Sequence, residues 1–77
     1  MWIETIANQW VRSDTIEFVW VNDNNELNVR CTNGLVHCMT KNPTENGLRL
    51  LVNIITHSCS VMVYQDDIIQ GEIGFKS

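Results

Sequence analysis

The chain has 77 residues, of which 44% are hydrophobic and 18% charged, and its formal net charge at pH 7 is −4. A chain of this length predicts one small domain, residues 1–77, which buries only about 60% of the surface that its unfolded state exposes. Its basic residues are Arg12, Arg30, Lys41, Arg49 and Lys76. Because they are scattered rather than clustered, direct DNA or RNA binding is not expected.

The first residues, MWIETIANQW, contain no basic segment followed by an apolar core. No apolar stretch approaches the roughly 18 to 20 residues that span a bilayer, so we expect a cytoplasmic protein without membrane contact. The three cysteines, Cys31, Cys38 and Cys59, are an odd number without the spacing of a disulfide framework. In a reducing compartment they are expected to be free thiols.

The first half of the chain predicts β-structure. MWIETIANQWV predicts one strand or two short strand pieces, with Trp2 and Trp10 as the bulky members. TIEFVWV is rich in β-branched and aromatic residues and predicts a further strand. ELNVRCT and LVHCMT flank an Asn-Gly pair, which is typical of a two-residue hairpin turn of type I′.

That Asn-Gly turn predicts the register of the second hairpin. It places Cys31 opposite Val36, and it places Val29 opposite Cys38. Since neighbouring residues of a strand point to opposite faces, both cysteines then share one face and His37 lies on the other.

A four-residue loop, NDNN, predicts the register of the preceding hairpin. It places Phe18 opposite Val29, so that Phe18 and Trp20 face the core; a slip of one residue would send them to the other face. The same register sets Glu17 across from Arg30, which is a favourable cross-strand charge pair.

The segment NPTENGLRLLVNIITHS predicts a helix. Asn42 is its expected N-cap, Pro43 its first helical residue and Glu45 its capping-box residue, and its end is expected near His57. Its apolar residues cover roughly 200° of the helical wheel, against about 100° for a helix that packs on one sheet. We therefore expect two apolar neighbours.

The C-terminal segment CSVMVYQDDIIQGEIGF predicts two strands with a turn at Asp66 and Asp67. The predicted fold is therefore an α+β domain. Its single antiparallel β-sheet has elements in the order β-β-β-β-α-β-β, with one helix packed on one face.

Cysteine and histidine chemistry is not favoured. A metal site would collect Cys31, His37, Cys38, His57 and Cys59. No C-x-x-C pair is present, and the predicted register points His37 away from the hairpin cysteines, so no metal or other cofactor is expected. A Cys31–Cys38 disulfide is not expected between diagonal neighbours. His57 and Cys59 lack an identifiable orienting residue for thiol catalysis, and we expect no catalytic residues.

Trp10, Arg12 and Tyr64 are the predicted ligand-binding or partner-binding residues. Tryptophan and tyrosine favour positions with one wet edge, and Arg12 lies two residues after Trp10. Together these side chains suit an anionic aromatic ligand, such as a small nucleotide.

The sequence also holds more apolar residues than one small layer of sheet and helix can bury. Exposed apolar patches usually mark interfaces, so we expect a homo-oligomer. The predicted interface residues are Val19, Val21, Leu35, His37, Met39, Leu50 and Ile54.

The opening MWI, the segment IEFV, the turn TNG and the helix start NPTENGLRLL resemble a set of short bacterial and phage proteins of uncharacterised function. The matching positions are Met1, Trp2, Ile3, Val11, Ile16, Gly34, Thr44, Glu45, Leu48 and Leu51. The resemblance covers residues 1–56, implies a small antiparallel sheet followed by a helix, and brings no catalytic residue.

These features predict a small, non-enzymatic, oligomeric binding protein of phage or mobile-element type. It would bind a host protein or sequester a small ligand, with inhibition of host defence as the outcome. The alternative is a structural or assembly component. A Cys/His thiol enzyme or a metal-binding protein is less favoured.

Overall fold

The computed structural model describes residues 1–56 and 62–71. Its strands are β1 (Trp2–Glu4), β2 (Trp10–Arg12), β3 (Ile16–Val21), β4 (Glu26–Cys31) and β5 (Val36–Lys41). A 3-10 turn (Ser13–Thr15) follows β2, and the helices are α1 (Glu45–Thr56) and α2 (Gln65–Gln70). The α+β class is confirmed. In place of one sheet, β1 and β2 form an antiparallel ribbon, and β3, β4 and β5 form a separate antiparallel sheet in that order.

The second hairpin turns through three residues rather than two. Cys31 N donates to Leu35 O at 2.9 Å, and Gly34 N donates to Cys31 O at 2.9 Å. Gly34 has φ of +85°, whereas Asn33 is not in the left-handed region. A type I′ turn needs positive φ at both central residues, so the chain instead forms a type I turn followed by a left-handed glycine.

This extra loop residue shifts the register from the predicted one. His37 pairs with Val29, and Cys38 pairs with Asn28. Because directly opposite residues share a face, His37 lies on the side of Val29 and Cys31, while Cys38 lies on the other side. The prediction that both cysteines share one face, with His37 on the other, is wrong.

The first hairpin makes the same three-residue turn. Asn22 N donates to Glu26 O at 3.1 Å, and Asn25 takes the left-handed position with φ of +58°. Val19 therefore pairs with Val29, and Phe18 with Arg30.

The prediction that the aromatic residues of β3 face the core is consequently wrong. Phe18 is 54% exposed and Trp20 is 37% exposed, whereas Val19 packs against the core. The predicted ion pair is present, with Arg30 Nη2 at 3.8 Å from Glu17 Oε2. A bulge between Ile16 and Phe18 accommodates the shift in register.

Helix α1 begins two residues later than predicted. Thr44 is its cap, because Gly47 N donates to Thr44 Oγ1 at 2.9 Å. Asn42, the predicted cap, has φ of +51° and donates its backbone N–H to Asn25 O at 2.7 Å. The predicted cap at Asn42 is therefore wrong. The helix is present through Thr56, and its predicted end near His57 lies outside the described residues.

Residues 65–70 form a helix where a turn and a strand were predicted. Asp67 closes its start, since Tyr64 N donates to Asp67 Oδ2 at 2.9 Å. Gly71 closes its end with φ of +76° and donates its N–H to Asp67 O at 2.9 Å. The parts of the two predicted strands at 59–61 and 72–75 lie outside the described residues.

One apolar core joins both sheets to both helices. Its buried residues are Ile3, Leu27, Val29, Met39, Leu51, Ile54, Val63 and Ile68. The expected exposure of Met39 and Ile54 at an oligomer interface is therefore wrong, because the chain itself buries them. Val63 extends the ribbon by pairing with Ile3 in parallel. Within residues 1–56 and 62–71, no helix is both long and apolar enough to cross a bilayer.

Candidate functional site

The β1–β2 ribbon has one apolar face and one mixed face. Ile3 and Val11 pair with each other and are both buried. Side chains alternate along a strand, so the other face carries Trp2 opposite Arg12, and Glu4 opposite Trp10. The buried pair fixes the ribbon against the core. The outer side of the ribbon therefore presents the two indoles and the guanidinium to solvent.

Trp2 and Arg12 are in contact across the ribbon. The Arg12 guanidinium carbon lies 5.9 Å from the centre of the Trp2 ring, at the edge of the range for a cation–π interaction. Arg12 Nη2 also pairs with Asp14 Oδ2 at 2.9 Å. Since a guanidinium carries five N–H donors, the Asp14 contact leaves donors for a ligand or partner. Trp2 is 47% exposed.

Trp10 packs against the start of α2. Its ring meets the Tyr64 ring edge to face, with centres 5.5 Å apart and planes at 84°. Such pairs contribute about 0.5–1.5 kcal/mol beyond the area that they bury. Trp10 is half-buried and Tyr64 is exposed, so the pair presents aromatic surface to solvent while it holds α2 beside the ribbon.

An open groove of about 320 Å³ lies between the ribbon and the turn of the second hairpin. We call it the aromatic groove. Its ring-bearing, apolar and charged lining residues include Trp2, Trp10, Arg12, Cys31, Leu35 and His37. Thr15, Thr32 and Asn33 add polar side chains to the same lining. The volume is at the low end of the range of about 300–1,000 Å³ that is typical of small-ligand sites.

The groove brings together residues that the sequence assigned to different roles. Trp10 and Arg12, predicted to bind a ligand or partner, both line it, and Tyr64 touches Trp10. Leu35 and His37, predicted at an oligomer interface, line it as well. The three-residue turn is the reason, because it rotates His37 onto the face of the sheet that carries Cys31.

The other predicted interface residues lie elsewhere. Val21 is at the end of β3 and is 42% exposed, while Val19 and Leu50 are partly buried against the core. Their role in an interface stays a prediction. Sequence reasoning missed Trp2 as a site residue. The available signal was its place opposite Arg12, which follows once MWIE and WVR are paired as a ribbon.

A second exposed surface lies on the outer side of the three-stranded sheet. Phe18, Trp20 and Arg30 border a shallow depression of about 430 Å³. The Arg30 guanidinium carbon lies 4.4 Å from the centre of the Phe18 ring, well within cation–π range. Among the residues that the structure describes, this surface shares none of its lining with the aromatic groove.

The described cysteines are both free thiols, with Cys31 buried and Cys38 half-buried. Burial raises the pKa of the Cys38 thiol, and the Glu26 carboxylate raises that pKa further. Among the described residues, no three His, Cys, Asp or Glu side chains are grouped to hold a metal ion. His57 and Cys59, the pair considered for thiol catalysis, lie outside this part of the chain.

Cys38 is expected to react slowly with alkylating agents. Because its pKa is raised, we expect iodoacetamide at about pH 7.5 to modify Cys38 roughly 2- to 10-fold more slowly than an unstructured cysteine peptide. Replacing Glu26 with glutamine should speed the reaction, since it removes a negative charge that opposes the thiolate. Site-resolved mass spectrometry measures both rates. A Cys38 rate equal to that of the peptide would contradict the expectation.

No family model, curated protein or solved structure matches this chain. The resemblance to short proteins that open with Met-Trp-Ile therefore stays a prediction.

Proposed function

We propose that this protein is a small, non-enzymatic binding protein of phage or mobile-element type that acts in the host cytoplasm. Its aromatic groove would bind a host protein, with inhibition of a defence function as the outcome. One observation supports the proposal above the others: Trp2, Trp10 and Arg12 line one accessible groove, and Tyr64 packs on Trp10 beside it. Tryptophan, tyrosine and arginine are the residue types that dominate the energetics of protein interfaces.

The exposure of these side chains favours a large partner. Trp2 and Leu35 are about half exposed, and covering apolar surface contributes about 25 cal/mol per Å². A small ligand in a groove that is open on one side would leave much of that apolar surface exposed to solvent. A protein partner, which buries about 800 Å² on each side of a standard interface, would cover it.

The charge of the groove constrains the partner surface. Arg12 places a guanidinium beside Trp2, although the whole chain carries a formal net charge of −4. The group that meets Arg12 is therefore expected to be a carboxylate or a carbonyl oxygen. Next to it, the two indoles favour an apolar or aromatic side chain.

A planar anionic ligand, such as a small nucleotide, is the second candidate. It is supported by the groove's volume of about 320 Å³ and by its lining, which combines Trp2, Arg12 and the hydroxyls of Thr15 and Thr32. Base stacking on an indole contributes about 1–3 kcal/mol. Assembly of this chain into a larger structure, with no host partner, is the remaining alternative.

A capture experiment with matched arginine variants tests the proposal. Tagged wild-type protein, a Trp2→Ala/Arg12→Ala variant and an Arg49→Ala variant would each be incubated with bacterial host lysate. Arg49 is the control because, like Arg12, it is an exposed arginine in a surface ion pair. We expect the groove variant to lose at least about tenfold in affinity for the captured protein, as hot-spot truncations do. The Arg49 variant should bind as the wild type does.

The bound material distinguishes the candidates. A protein that is recovered with the wild type and lost with the groove variant supports the first candidate, binding of a host protein. Small molecules released on denaturation would be analysed in the same samples, and quenching of tryptophan fluorescence by adenine and guanine nucleotides would be titrated. A nucleotide that depends on the groove supports the second candidate. Capture that the groove variant leaves unchanged, or no capture at all, would contradict binding through this groove.

A further inference from the structure

The two edge strands of the three-stranded sheet, β5 and β3, differ in the hydrogen bonds that their outward sides make. At the β5 edge, Ile6 N donates to Cys38 O at 3.2 Å, and Gln65 Nε2 donates to Met39 O at 2.6 Å. At the β3 edge, no residue of 1–56 or 62–71 pairs with the outward side of the strand. β3 is six residues long, so its edge can receive another strand.

The alternation of antiparallel pairing identifies which groups point outward. The Asn22–Glu26 pair is hydrogen-bonded through Asn22 N and Glu26 O. Counting back along the ladder, Trp20 and Phe18 are the residues of β3 that bond to β4. The N–H and C=O groups of Val19 and Val21 therefore point away from the sheet, toward the open edge.

The β3 edge carries one feature that usually prevents pairing between edges, the bulge between Ile16 and Phe18, and its register from Phe18 to Val21 is regular. The strand IEFVWV contains no lysine and no proline. Its one charged residue, Glu17, already pairs with Arg30 at 3.8 Å. The edge thus presents no unpaired charge to a second strand, and Phe18, Trp20 and Val21 expose apolar surface beside it.

We propose that β3 pairs antiparallel with β3 of a second copy of this chain, about a two-fold axis at Val19. The two three-stranded sheets would then form one continuous sheet of six strands. Each Val19 N–H would donate to the Val19 carbonyl of the other copy. This interface is separate from the aromatic groove, whose lining includes no β3 residue.

The sequence of β3 is complementary to itself in this register. Phe18 of one copy lies directly across from Trp20 of the second copy, and the reverse pair repeats it on the other side of the axis. Aromatic cross-strand pairs are among the favourable ones in sheets. Arg30, which already stacks on Phe18 at 4.4 Å, would flank each aromatic pair. A slip by one residue would set outward-pointing groups of one strand against inward-pointing groups of the other, so it is excluded, whereas a slip by two residues keeps aromatic side chains opposite each other.

Amide hydrogen exchange on the wild-type chain tests this pairing directly. In the dimer, the amides of Val19 and Val21 become bonded, so their exchange should slow as the protein concentration rises. Phe18 and Trp20 bond to β4 within each chain, so their amides should exchange equally slowly at every concentration. Light scattering or sedimentation over about 1–500 μM should show the mass rise from one chain to two.

A matched pair of valine variants locates the interface. Val21→Glu places a carboxylate directly across from Glu17 of the second copy, whereas Val36→Glu places the same charge on β5, away from the β3 edge; these valines are 42% and 55% exposed. Because like charges directly opposite each other destabilise a sheet, we expect Val21→Glu to weaken dimerisation at least tenfold and Val36→Glu to leave it unchanged. The Trp2→Ala/Arg12→Ala variant should also dimerise normally, which separates this proposal from groove binding.

Three results would overturn the pairing. The first is a single-chain mass at every concentration up to about 500 μM. The second is a dimer in which exchange at Val19 and Val21 does not depend on concentration. The third is a folded Val21→Glu variant, checked by circular dichroism, that dimerises as tightly as the wild type.

Discussion

Replacing Gly71 with alanine is expected to lower the free energy of unfolding by about 2–5 kcal/mol. Gly71 has φ of +76°, a conformation that alanine adopts at a cost. A β-carbon at this position would also overlap the Asn46 β-carbon and lie 2.9 Å from Gly47 N, so the end of α2 would have to move away from α1. Urea denaturation, followed by circular dichroism, measures the loss.

Gly34→Ala is the matched control for this prediction. Gly34 also has positive φ, +85°, but a β-carbon there would meet nothing within 4 Å. We expect a loss of only about 1–2 kcal/mol, the cost of the left-handed conformation alone. Equal losses for the two alanine variants would show that Gly71 is needed only for its backbone conformation and that the helix contact tolerates a side chain.

Replacing Gln65 with glutamate is expected to destabilise the fold by about 2–4 kcal/mol. Gln65 Nε2 donates to the carbonyl oxygens of Glu4 at 2.9 Å and Met39 at 2.6 Å. These bonds tie α2 to β1 and to β5. The side chain of a glutamate at this position has no N–H to donate. Its carboxylate would face two carbonyl oxygens and the Glu4 side chain, which accepts from the backbone N–H of residue 65.

Gln70→Glu is the control, because Gln70 is an exposed residue of the same helix. It adds the same charge to α2 without touching the β1 and β5 carbonyls, so we expect little change in stability. Urea titration of both variants gives the comparison. Similar destabilisation by the two would mean that added negative charge, rather than the lost hydrogen bonds, is responsible.

Both predictions concern α2, and they bear on the aromatic groove. Tyr64 precedes α2 and packs on Trp10 at 5.5 Å between ring centres. A variant that loosens α2 should therefore also change the environment of Trp10. Weaker partner binding in the Gly71 or Gln65 variants would follow from displacement of Tyr64, even though neither of these residues lines the groove.

The β-hairpins show what local sequence predicted and where it failed. The three strands, their antiparallel order and the Glu17–Arg30 pair were predicted from alternation and turn residues. The registers were not, because both turns take three residues with Asn25 or Gly34 in the left-handed position. Asn-Gly is compatible with a two-residue or a three-residue loop, and the choice depends on which strand face packs against the core.

The sequence alone determined the α+β class, the β-strands up to Lys41 and the position of α1, because these elements follow from residue periodicity and from turn chemistry within a few neighbours. It also predicted Trp10, Arg12 and Tyr64 as ligand-binding or partner-binding residues. Only the tertiary structure decided that Trp2, Leu35 and His37 join them. That grouping depends on the one-residue shift of a hairpin and on the docking of α2 through Gln65, and both are set by contacts between residues far apart in the chain.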